Sequence, residues 1–106
     1  MDVESREWLQ EKILNSDSHR RFLTHLSRLP DNKSRWEARW VRTQPGVSEA
    51  LGVVRTRISA IAHDSLSAGF VESRVRHIIE RPTGFTDGCK RIAYFITSTG
   101  LDALKP

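Results

Sequence analysis

Between Thr43 and Leu104 the chain is punctuated in a fixed order. Pro45 stands just inside a short apolar-periodic run, Gly52 follows it, Gly69-Phe70 closes a second periodic run, and Pro82-Thr83-Gly84-Phe85-Thr86-Asp87-Gly88 separates two runs rich in β-branched residues. Proline is tolerated in a first helical turn but breaks a helix interior, and glycine takes left-handed turns that other residues avoid. The marks therefore divide this stretch into a short helix, a tight turn, a second helix, an exit, a hairpin and a closing helix. Few helix-rich α+β architectures accept that order of parts.

The residues within each part agree with it. Thr43 is a helix-capping type, and Val47, Ala50 and Leu51 give the first helix an apolar face. From about Val54 to Ala68, Ile58, Ile61, Ala62 and Leu66 recur at i, i+3, i+4 and i+8, which predicts an amphipathic helix. Its other side carries Arg55, Thr56, Arg57, Ser59, Ala60 and His63. Val71 with Arg74 to Ile79, and Arg91-Ile92-Ala93-Tyr94-Phe95-Ile96-Thr97, favour extended structure, with hairpin-tip chemistry between them. Thr97 or Ser98 caps a last helix through Leu101 and Leu104.

Before Thr43 the pattern is helical. Val3, Trp8, Leu9, Ile13 and Leu14 mark a helix over 3–14, and Asn15-Ser16-Asp17-Ser18 supplies turn and cap residues for the next. That second helix places Phe22, Leu26 and Leu29 on one face, with Leu23 beside them, and stops at Pro30. The segment Arg35 to Arg42 reads as a short helix or an extended run, and its Trp36 and Trp40, four apart, suit one helical face and packing rather than base stacking.

Length and composition suit one domain over 1–106, with 1–17 a helical extension and 18–106 the core. The chain has 106 residues, 38% hydrophobic and 28% charged. Seventeen Lys and Arg against thirteen Asp and Glu give a formal net charge of +4, which favours polyanionic partners. Cys89 is the single cysteine, so neither an intrachain disulfide nor a thiolate zinc site is expected. With no apolar run after Met1 to Arg6, neither a secretory signal nor a membrane span is read, and a cytoplasmic setting is expected.

These residues resemble a known family. Thr43-Gln44, Val47-Ser48-Glu49-Ala50-Leu51-Gly52-Val53, Arg55-Thr56-Arg57-Ile58-Ser59 and Ala68-Gly69-Phe70-Val71-Glu72 look like the winged helix-turn-helix of prokaryotic transcription regulators. Arg91 to Thr97 followed by Ser98-Thr99-Gly100 is similar to the second wing strand and ending of MarR-like and archaeal regulators. The resemblance covers roughly the last sixty residues. It implies a three-helix core with a β-hairpin wing, here with an extra N-terminal helix, binding double-stranded DNA in transcriptional regulation. The chain departs from the pattern at Val54, where many members keep a capping Ser or Asn, and at Ala62 and Ser65, where many keep Leu. Ile61 and Leu66 complete the core face instead, which implies a rotated or repacked helix.

The candidate DNA contacts are Thr43, Arg55, Thr56, Arg57, Ser59 and His63 on the helices and Arg81, Lys90 and Arg91 on the wing flanks. For the helix group the alternative is a solvated face; for the wing group it is a charged hairpin that resists edge pairing. A homodimer reading two half-sites has its candidate surface on Trp8, Leu9 and Ile13, and intramolecular packing of that helix is the alternative. His19, His25, His63 and His77 show no metal-ligand spacing, and Asp64, Glu72, Glu80 and Asp87 are dispersed, so no metal, cofactor or enzymatic role is expected. Cys89 beside Lys90 is more simply incidental than a redox sensor. A winged helix used only for protein interaction or assembly is the rival reading.

Overall fold

A computed structural model describes residues 3–30, 33–79 and 90–106. Within them the chain runs α1 (Val3–Leu14), α2 (Asp17–Ser27), β1 (Glu37–Arg39), a 3-10 turn (Trp40–Arg42), α3 (Gln44–Leu51), α4 (Arg55–Ser67), β2 (Val71–Ile79), β3 (Lys90–Ile96) and α5 (Ser98–Ala103). This is a compact α+β arrangement of helices on a three-stranded sheet.

The helices begin and end where local chemistry directs. At α2 the Ser16 hydroxyl takes the cap position, and Phe22, Leu23 and Leu26 are driven fully inside. At α3 the Thr43 hydroxyl accepts from the Gly46 N–H at 3.2 Å and donates to the Trp40 carbonyl at 2.7 Å. The helix stops at Gly52, whose φ of 67° is left-handed and whose N–H bonds to the Ser48 carbonyl at 3.0 Å. Gly46 serves a different need: a Cβ there would lie 1.9 Å from the Trp40 carbonyl oxygen, so only glycine lets α3 press against the preceding 3-10 turn. Thr97 caps α5 and donates to the Gly69 carbonyl at 2.7 Å, tying the last helix to the exit from α4.

The main core joins Leu9 and Ile13 of α1 to Phe22, Leu23 and Leu26 of α2, Val47 of α3, Ile58, Ile61 and Ala62 of α4, and Phe70 and Val71. Leu9 is 7% exposed and Ile13 fully buried, so the dimer surface expected on them is absent: α1 turns these side chains onto α2 and α4. Trp8 alone remains outward, 64% exposed, with the Lys12 ammonium 5.7 Å from its ring. Ala62 and Ser65 lie on the buried side of α4, and the Ser65 hydroxyl donates to the Ile61 carbonyl at 2.8 Å. Both are inward positions of this helix, and a serine fits there because its donor is satisfied inside its own helix.

The strands lie in the order β1-β2-β3, β1 parallel and β3 antiparallel to β2. Residues directly opposite share a face, so Val71 with Ile96, Ser73 with Tyr94, Val75 with Ile92 and His77 with Lys90 line one side. Near the helices that side packs inward, and Tyr94 meets Phe22 edge-on at 5.8 Å. The other side holds a second cluster of Ala38, Trp40, Ile78, Ala93 and Phe95. Arg42, 3% exposed, stacks 4.4 Å from the Phe95 ring and donates to the Tyr94 carbonyl at 3.2 Å and to the Pro30 carbonyl. The segment from Arg35 to Arg42 is therefore extended first and then a single 3-10 turn. Its tryptophans do not share a helical face: Trp40 is buried and Trp36 is 60% exposed.

Candidate nucleic-acid interface

Four inward positions orient α4. Ile58, Ile61, Ala62 and Ser65 are buried, and with about 100° between successive residues the centre of the opposite side falls near Thr56, Ala60 and His63. Ser59 lies beside them. Arg55 and Arg57 stand about 160° apart, one on each flank of this stripe of small and polar side chains. Arg55, Thr56, Arg57, Ser59, Ala60 and His63 are all exposed. Small residues in the middle let a helix approach a groove floor closely, and long cations on both flanks reach the phosphate walls.

The start of α4 is chemically unusual. Val54 occupies the cap with extended φ and ψ of −61° and 148°, is 70% exposed, and offers no side-chain acceptor. No acidic residue stands in the first turn, which instead carries Arg55 and Arg57. The first N–H groups of a helix lack intrahelical partners, and the dipole makes that end positive, so two cations without an acceptor are unfavourable unless an anion is supplied. An oxyanion placed there meets unbonded N–H groups of the first turn, with one guanidinium on each side of the helix.

Thr43 has no such access. It is fully buried, and its hydroxyl is engaged on both sides by the α3 cap and the Trp40 carbonyl. It sets the start of α3 and is not accessible to DNA, contrary to the expectation that it contacts the duplex. Gln44 beside it does link the elements: its side-chain amide donates to the Arg55 carbonyl at 2.8 Å, joining the starts of α3 and α4. Thr43, Gln44 and Pro45 also form one wall of a cleft of about 200 Å³ whose other wall is Arg91, Ile92 and Tyr94. The helix starts and β3 are thereby neighbours.

The cationic residues expected on the hairpin flanks divide. Lys90 and Arg91 are adjacent in a strand and point to opposite faces. Lys90 is exposed, with its ammonium 5.3 Å from the Trp36 ring, whereas Arg91 is half-buried, 5.7 Å from the Trp40 ring. Arg81 lies outside the described residues, as do Glu80, Asp87, Cys89 and the hairpin tip.

The sheet also presents a patch unread from the sequence. Trp36 stacks on His77 at 5.6 Å and 18°, and the cross-strand pair Val75 and Ile92 is 61% and 52% exposed. Its signal was available in the alternation of Val75 and His77 against Ile92 and Lys90, once the register is known. A second missed contact lies inside. His19, 3% exposed, sits 2.7 Å by Nδ1 from the Ser16 hydroxyl and 2.9 Å by Nε2 from Asp64, so the histidine clamps α2 to α4. Burial also pushes the Tyr94 phenol above its ordinary value.

Among the described residues no helix is long and apolar enough to cross a membrane. Compared with known proteins, the chain matches no family model, no curated protein and no solved structure.

Proposed function

We propose that this protein binds double-stranded DNA, in the cytoplasm and in the service of transcriptional regulation, with α3 and α4 as a helix-turn-helix and the β2-β3 hairpin as its wing. The observation that carries the reading is the exposed, uncapped start of α4 flanked by Arg55 and Arg57, an arrangement that a phosphate oxyanion completes. Thr56, Ser59 and His63 then face base edges, and Lys90 extends the cationic surface onto the wing. The role is one of binding, without a catalytic step.

The test is duplex binding across a salt series by the wild type and the Arg55→Ala/Arg57→Ala variant. Each phosphate contact contributes a slope of about 0.9 in log affinity against log salt, so losing two lowers the slope by about 1.8 and the affinity at 0.1 M salt by about 60-fold. An unchanged slope from a folded variant rejects α4 as the DNA-reading element.

One observation favours the rival reading, a winged helix for protein assembly: Val75, Ile92 and Trp36 expose large apolar side chains on one side of the sheet. If duplex binding is absent and Val75→Ser/Ile92→Ser abolishes association with a partner or a second copy, that reading replaces the first.

A further inference from the structure

The outer side of α2 carries a second group of cations, distinct from those of α4. His19, Phe22, Leu23 and Leu26 face inward, and at about 100° per residue the opposite side is centred on Asp17, Arg21, Thr24 and Arg28, with Arg20 at its margin. This side and the C-terminal end of α3 enclose an open groove of about 600 Å³, floored in part by Leu29 and Leu51. Arg20, Arg21 and Arg28 are exposed, and no carboxylate among the described residues pairs with any of them. Arg21 is already held in place, donating to the Leu51 carbonyl at 2.7 Å. Asp17 is the one carboxylate on the lining, and it stands in the first turn of α2, where the helix dipole favours it.

Three guanidiniums over an apolar floor call for an occupant with both carboxylates and an apolar side chain. We propose that this groove docks an acidic amphipathic helix of a partner protein, its carboxylates on Arg20, Arg21 and Arg28 and its apolar side chain over Leu29 and Leu51. The spacing suits a helix lying alongside. Arg21 and Arg28, the latter at the C-cap of α2 with helical backbone, are seven residues apart, about 10.5 Å along the helix axis, which is also the separation of i and i+7 on a second helix. A nucleic-acid backbone would satisfy the arginines but leave Leu29 and Leu51 uncovered, so the apolar floor favours the peptide. The docking does not depend on whether α4 binds DNA.

The experiment uses the full chain and a fluorescently labelled helical peptide with Leu on one face and Glu on the other, read by anisotropy. The Arg20→Gln/Arg28→Gln variant binds the probe about tenfold more weakly, since two rim ion pairs are lost. Arg55→Gln/Arg57→Gln binds it within about twofold of wild type, and a probe with Ser in place of Leu binds about tenfold more weakly. Circular dichroism checks that each variant is folded. Absent probe binding, equal losses from both arginine pairs, or a Ser probe as tight as the Leu probe overturns the proposal. So does a fall in duplex DNA affinity for Arg20→Gln/Arg28→Gln matching its fall for the probe, which makes these arginines a phosphate track.

Discussion

Substitution of Val54 separates what the α4 start contributes to stability from what it contributes to binding. Val54 already has the extended backbone of a helix cap, is 70% exposed, and makes no capping hydrogen bond. Val54→Ser and Val54→Asp therefore remove little buried surface and give an orphan N–H an acceptor, a change that contributes about 1 kcal/mol. For a domain near this size that is a rise of roughly 4–8 °C in melting temperature. The two variants part in binding. Serine adds no charge and keeps duplex affinity within about threefold, whereas aspartate occupies the anion position with a charge of its own. That cancels about one phosphate contact, for a loss near eightfold at 0.1 M salt and a slope lower by about 0.9. Thermal unfolding and duplex titration on the same preparations measure both effects. If Val54→Asp fails to stabilise, the start of α4 is not an empty cap; if it stabilises and binds DNA as tightly as Val54→Ser, no phosphate sits there.

Gly46→Ala tests the contact between α3 and the 3-10 turn. Helix propensity alone favours alanine by about 1 kcal/mol, but its Cβ would meet the Trp40 carbonyl oxygen at 1.9 Å, so the variant should lose about 3 kcal/mol in urea unfolding; equal or greater stability contradicts the geometry. Tyr94 gives a pH dependence. Burial raises its pKa, so the unfolded chain ionises first, and this stabilisation is complete below the ordinary phenol value of about 10 and is lost as pH rises through the raised value. It is the sole tyrosine, so tyrosinate absorbance reports it directly. A folded-state midpoint at or below that of the urea-unfolded chain refutes the burial argument, and Tyr94→Phe should retain stability further into alkali.

Residues that act on near neighbours were legible in advance. The Thr43 cap, Pro45, the Gly52 turn, the run of α4 and the extents of β2 and β3 all follow from contacts within a few positions. β1 was less legible because its pairing with β2 is remote: Glu37 faces His77. A local cue existed in the alternation Arg35-Trp36-Glu37-Ala38-Arg39-Trp40, but the four-residue spacing of the tryptophans suits a helix equally, so the sequence leaves a short helix and an extended run both open. Thr43 shows a different limit. The same hydroxyl suits a cap or a DNA contact, and only its burial decides that the cap claims it.

The sequence by itself determined where the chain turns, which face of α2 and of α4 is apolar and that α4 starts without a capping side chain, since these depend on backbone sterics and side-chain chemistry within a turn or two. Tertiary structure decided which apolar faces found partners. Leu9 and Ile13 went into the core while Trp8 stayed out, and His19 met Asp64 forty-five residues away. It also decided that Lys90 stays exposed beside Trp36 while Arg91 is half-buried beside Trp40, and that the arginines of the α2 side share a groove with Leu51 of α3. Burial is a property of the packed whole: whether an exposed-looking residue meets water or another element depends on segments distant in the chain.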